Sequence, residues 1–143
     1  MKRPVYEKDS DRKREEEVAR RITEKWQARV IMLPQFAVAD MLIIDNKDNP
    51  RCWAEVKSRN MNFGQYRHMH IAADKIERLQ DLMRLTKLKA IIICALYDGI
   101  YWHPCPETRE QIVREMGGRT DRNDPADIHE MACLHWHNFK RIG

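Results

Sequence analysis

The first regular pattern of apolar and polar positions runs from Asp11 to about Gln27. Val18, Ala19, Ile22 and Trp26 recur three and four residues apart, one buried stripe on an otherwise charged cylinder, and predict an amphipathic helix. Ser10 suits its N-cap, and Asp11 suits the positive end of its dipole. Arg29 to Leu33 is short, β-branched and bounded by Pro34, which predicts a strand. Two further apolar arms, Ala39 to Asp45 and Arg51 to Lys57, flank the turn residues Asn46, Lys47, Asp48, Asn49 and Pro50, the signature of a β-hairpin. His68 to Ile71 adds a short strand. From Ala72 to about Thr86, Ile76, Leu79, Leu82 and Met83 give a second amphipathic helix.

Ala90 to Tyr97 is almost continuously apolar, as in a strand buried on both faces and central to its sheet. Asp98-Gly99 then turns the chain back through Ile100 to His103. Glu107 to Met116 predicts a short helix with Ile112, Val113 and Met116 inward. Gly117 to Pro125 is a turn-rich loop. The stretch from Ile128 to Phe139 reads either as a helix started by Asp124-Pro125 or, from its alternation, as a strand; the alternation favours the strand. Residues 1 to 9 are expected to be a flexible or loosely docked arm, and residues 10 to 143 a single domain.

A length of 143 residues and a mass of 17.1 kDa suit one core and not two. With 43% hydrophobic and 34% charged residues the composition is that of a soluble globular protein, and no run approaches the ~18 apolar residues of a membrane span. The sequence begins without the apolar segment of a signal peptide, so an intracellular, cytoplasmic location is expected. A net charge of +4 and a pI near 8.9 fit a polyanionic partner without requiring one. Cys52, Cys94, Cys105 and Cys133 contain no CxxC pair and are expected to stay reduced.

The chemistry concentrates in the hairpin. Folded symmetrically about Lys47 and Asp48, it sets Asp40 opposite Glu55, and side-chain alternation places Glu55 and Lys57 on that same face. Carboxylates on opposed Cβ atoms about 4.5–5.5 Å apart repel unless one protonates or a cation lies between them. Lys57 supplies one positive charge, and two oxygen-rich anions with room for water also suit a hard divalent ion.

Ala39-Asp40, followed by Glu55-Val56-Lys57 after a hairpin, with a helix ahead and a helix and strand behind, resembles the PD-(D/E)XK nuclease superfamily. Ala39 stands where that motif has proline. The resemblance covers roughly residues 11 to 103. It implies an α/β, restriction-endonuclease-like core of order αβββαβ, a central mixed sheet flanked by helices. It also implies a Mg²⁺- or Mn²⁺-dependent endonuclease that hydrolyses DNA phosphodiesters, of a size resembling small Holliday junction resolvases and phage-type enzymes, with a homodimer possible. Asp40, Glu55 and the backbone carbonyl of Val56 would hold the metal, and Lys57 would act on the attacking water or on the developing charge. In such nucleases a first-helix acidic residue often completes the site, which points to Glu15, with Glu16 as runner-up. Glu15 lies three and four residues before Val18 and Ala19 and so faces inward, whereas Glu16 and Glu17 rotate outward. Ordinary surface pairing of the three glutamates with the neighbouring arginines and lysines is the plainer alternative.

The polar segment from Ser58 to Arg67 follows the motif directly and suits substrate contact, with Arg59 and Arg67 for phosphates and Phe63 or Tyr66 for stacking. Phe63 fits simple packing better. Lys75 sits in the first turn of the second helix, where a cation is locally unfavourable, and so is expected to serve an anion. Arg119 and Arg122 in the glycine-rich loop also suit phosphate. His103-Pro104-Cys105 and His135-Trp136-His137 could each give two zinc ligands, but neither has the spacing of a zinc knuckle, and surface or interface histidines are the plainer expectation. The alternative to an enzyme is a DNA-binding or virion-associated structural module that keeps this fold without turnover.

Overall fold

The structure, a computed structural model, describes residues 9–118 and 128–142. Most of the expected N-terminal arm, and with it Arg119 and Arg122, lies outside the described residues. The elements run α1 (Asp9–Trp26), β1 (Arg29–Met32), β2 (Met41–Ile44), β3 (Pro50–Ser58), β4 (His68–Ala72), α2 (Ala73–Thr86), β5 (Lys89–Leu96), β6 (Gly99–Pro104), a 3-10 turn at Arg109–Gln111, β7 (Val113–Gly118), β8 (Ile128–His135), a second 3-10 turn at Trp136–Asn138, and β9 (Lys140–Arg141). The expected αβββαβ order is present, with β4 inserted before the second helix.

Six strands form a mixed sheet in the order β1-β2-β3-β5-β6-β9. All neighbours are antiparallel except β3 and β5, whose parallel pairing requires the crossover that α2 makes. The two strands at the centre are thus the arm that carries Glu55 and the apolar run that begins at Lys89. Side-chain alternation divides the sheet cleanly. On one face Met41, Ile43, Ala54, Val56, Ile91 and Ile93 pack under Val18 and Ile22 of α1. On the other, Ile92, Cys94 and Leu96 pack under Ile76 and Leu79 of α2. Full burial of each such aliphatic side chain stabilises the fold by roughly 1.5–3 kcal/mol.

A second sheet, of order β4-β8-β7 and antiparallel throughout, covers the α2 side. Met69, Ile71, Ala132 and Leu134 form its inner face and join the core under α2. The strand expected near Ile128 is therefore present, and its partner is the short strand that begins at His68. The helix expected from Glu107 to Met116 is not: a 3-10 turn and β7 stand in its place. Ile112, Val113 and Met116 mimic helical spacing, but only Ile112 is buried. Val113 and Met116 are exposed, and pairing with β8 satisfies the backbone that a helix would have satisfied internally.

Candidate active site

Three local features place the charged side chains. First, β2 and β3 keep the register Met41↔Ala54, Leu42↔Trp53 and Ile43↔Cys52, the pairing expected by counting out from Lys47 and Asp48. The tip is less symmetric than the count assumes. The register shifts at Ile43/Ile44, so that Ile44 faces Pro50, and the turn is tied by Asp45 Oδ1, which accepts from the N–H groups of Lys47 and Asn49 at 2.9 Å each. Second, β2 ends at Met41, and just before it the Asp40 N–H donates to the Ala54 carbonyl at 3.0 Å. The Asp40 side chain continues where the ladder stops: its Oδ2 accepts a hydrogen bond from the Val56 N–H at 2.7 Å. Third, Glu55 sits mid-sheet between β2 and β5, opposite Ile92, and its face is roofed by α2.

Glu55 is only 3% exposed. Burial pushes its pKa up to about 7; the Lys57 ammonium opposes that rise, the nearby Asp40 carboxylate adds to it, and Lys75 opposes it again. Lys57 Nζ lies 3.5 Å from Glu55 Oε1, and Lys75 Nζ lies 3.4 Å from Oε2. The Lys75 contact is close enough for charge attraction, but Oε2 has no partner in hydrogen-bond geometry and no exposure to water. A buried carboxylate oxygen without a hydrogen bond is costly, and the Lys75 ammonium offsets part of that cost without filling the oxygen's lone pairs.

Lys75, expected to serve an anion, thus stands at the Glu55 carboxylate, a partner that its place in the chain alone did not name. The signal available was the cation in a helix's first turn. Glu15 is buried on the inner side of α1, with Arg12 Nη1 3.4 Å from its Oε2, while Glu16 is exposed. α1 packs on the face of β3 opposite to Glu55, and among the described residues the carboxylates of Glu15, Asp40 and Glu55 do not come within 4.8 Å of one another as a trio.

Beyond Lys57 the chain borders a cleft of about 480 Å³, lined in part by Arg59, Tyr66, Arg67 and His70. Arg59 turns its guanidinium onto the carbonyls of Ser58 and His70, at 3.1 and 3.3 Å. Arg67 and Tyr66 are exposed. Phe63 packs down, stacked on Tyr101 with ring centroids 4.3 Å apart and edge-on to Trp136.

Comparison with known families agrees with this geometry: the family described as "Phage putative PDDEXK endonuclease" matches residues 1–142. The chain belongs to this endonuclease family. Its fold is also that of a solved resolvase, Archaeoglobus fulgidus Hjc, "a Holliday junction resolvase from an archaeal hyperthermophile", with a TM-score of 0.55 and 17% identity over 75% of this chain and 79% of the other. No curated protein sequence matches it. Among the described residues of this PDDEXK family member, no helix is long and apolar enough to cross a membrane. The family match extends through both sheets, and β4 and β7 of the second sheet bring His68, His70 and Glu115 to the cleft.

Proposed function

We propose that the protein is a divalent-metal-dependent DNA endonuclease, with Mg²⁺ or Mn²⁺ held by Asp40, Glu55 and the backbone carbonyl of Val56. The observation that carries this is the buried Glu55 carboxylate, whose Oε2 lacks a hydrogen bond while the negative charge of Asp40 presses on it. Such an all-oxygen donor set fits a hard cation. When bound, the ion supplies Lewis acidity toward a phosphoryl oxygen and lowers the pKa of a water.

The chain's own residues supply the remainder. Val56 N–H holds the Asp40 carboxylate in place, so the charge is positioned before any ligand arrives. Lys57 and Lys75, both within 3.5 Å of Glu55, bring two ammonium groups to where negative charge builds on a phosphate under attack. Glu15, on the far side of β3, fits an outer role through water. Arg67 and Tyr66 at the cleft suit phosphate and base contact, Arg59 suits phosphate through N–H groups beyond those it gives Ser58 and His70, and Arg119 and Arg122 suit phosphate by their glycine-rich sequence setting alone. The likeness to a junction resolvase makes branched DNA the substrate class to test first, with a homodimer presenting two sites to its arms.

The test is cleavage of linear, single-stranded, flapped and four-way DNA with Mg²⁺, Mn²⁺ or EDTA, comparing the wild type with Asp40→Ala and Lys57→Ala. Metal-dependent cutting lost in both variants supports the proposal. Tight binding without cutting of any substrate overturns it in favour of a binding module.

A further inference from the structure

The outer face of the second sheet carries a group of side chains that the proposed nuclease chemistry does not use. Alternation puts Met69, Ile71, Ala132 and Leu134 into the core and so turns His68, His70, Cys133 and His135 to the opposite side. The register sets His68 across from His135 and His70 across from Cys133. One ligand atom from each of His68, His70 and Cys133 lies within 4.8 Å of the others. From the neighbouring strand, Glu115 brings Oε1 to 2.7 Å from His70 Nε2. That nitrogen is shut off from water and, despite the short distance, is not aligned for a hydrogen bond with the carboxylate.

We propose that this face binds one zinc-class ion through His68, His70 and Cys133, with water as the fourth ligand and Glu115 orienting the His70 ring from outside the ligand set. Two imidazoles and a thiolate are the donors that select a borderline-soft d-block ion over Mg²⁺. Cys133 is buried, as the ligand of a structural site would be, and its thiol proton leaves to solvent when the ion binds. The ligands come from β4 and β8, so the ion clasps these two paired strands. The clasp also fixes the cleft, because Arg59 hydrogen-bonds the His70 carbonyl. The pairs weighed from sequence, His103 with Cys105 and His135 with His137, form no such group among the described residues, as the plainer expectation had it: Cys105 is buried in the core and the His103 ring lies tilted against Phe139. The site uses none of Asp40, Glu55, Lys57 and Lys75 and does not depend on the nuclease reading.

The full chain, purified and passed through a desalting column, is assayed for bound metal by mass spectrometry and titrated with Co²⁺. The expected result is one zinc per chain, and a cobalt form with intense tetrahedral d–d bands and a near-ultraviolet thiolate band. Cys133→Ser abolishes the thiolate band, Glu115→Gln weakens zinc binding by about 10- to 100-fold, and Asp40→Ala retains zinc fully. Circular dichroism checks that each variant is folded. Should Cys133→Ser unfold, His68→Gln replaces it, and loss of the tetrahedral bands is the required outcome. A wild type without zinc that gives only a weak octahedral cobalt spectrum overturns the proposal, as does a thiolate band that survives Cys133→Ser.

Discussion

Lys75 Nζ lies 3.4 Å from Glu55 Oε2, so the first turn of α2 returns a cation to the strand that carries the second acidic residue of the motif. Lys57 takes the other oxygen at 3.5 Å. One buried carboxylate is thereby held between two ammonium groups, one from its own strand and one from the crossover helix. The cost of a cation at a helix N-terminus, about 0.3–1 kcal/mol, is offset by this attraction at a site screened from water. Replacing Lys75 by Met removes one of the charges that hold the Glu55 pKa down. The apparent acidic pKa of the pH–rate profile is expected to rise above 7, and cleavage at pH 7 to fall at least tenfold. A profile identical to the wild type would place Lys75 outside the reaction.

The raised pKa of Glu55 makes stability depend on pH in a definite direction. Its folded value is about 7, against an ordinary 4.5, so between these values the folded state binds more protons than the unfolded one. Metal-free stability therefore falls as pH rises from about 4.5 to 7, by an amount on the order of 3 kcal/mol, and levels off above 7. Metal binding at the proposed site would need the ionised carboxylate, so affinity for Mn²⁺ is expected to climb over the same interval and then plateau. Denaturant titrations with and without Mn²⁺ at pH 5, 6, 7 and 8 measure both slopes. In Glu55→Gln both should vanish.

Asp40 accepts the Val56 N–H and, in the proposed function, also holds a metal; two substitutions divide these roles. Asp40→Asn keeps an oxygen for the Val56 N–H but loses the charge, so stability should stay within about 1 kcal/mol of wild type while metal-dependent cutting is lost. Asp40→Ala also leaves that N–H unpaired in a half-buried place, which costs about 1–3 kcal/mol. Urea denaturation and cleavage kinetics on both proteins check the division. Equal destabilisation would mean that the hydrogen bond contributes little.

Two aromatic residues three positions apart should behave oppositely. Phe63 is partly buried, stacked on Tyr101 and edge-on to Trp136, and its truncation to Ala should cost about 1.5–3 kcal/mol, less than a fully buried core aromatic. Tyr66 is 56% exposed at the cleft. Tyr66→Ala should leave the thermal midpoint unchanged and weaken DNA binding by about 1–3 kcal/mol, the value of one lost base stack. Differential scanning fluorimetry and fluorescence anisotropy separate the two.

What the sequence revealed, and what it withheld, follows the range of the interactions. Counting from the turn gave the Met41↔Ala54 register because the one-residue shift lies toward the tip, beyond Ile43, and leaves the inner pairs in step. The inward turn of Glu15 followed from helical period alone. The three-stranded sheet was far less visible. His68 and Cys133 are sixty-five positions apart, and nothing local ties one to the other. The alternating His-Met-His and Cys-Leu-His triplets were the available signal, yet each became meaningful only opposite its partner. Ile112, Val113 and Met116 misled for the same reason: apolar spacing over a few residues describes a helix equally well when a distant strand is waiting to pair.

The passage from β4 to α2 has no connecting residue: Ala72 ends the strand and Ala73 begins the helix. Strand and helix are therefore joined without a loop, and one uninterrupted stretch of backbone, His68 to Lys75, links the histidine-bearing strand to the acidic centre. A residue inserted at this joint would turn the lysine by about 100° around the helix, off its carboxylate.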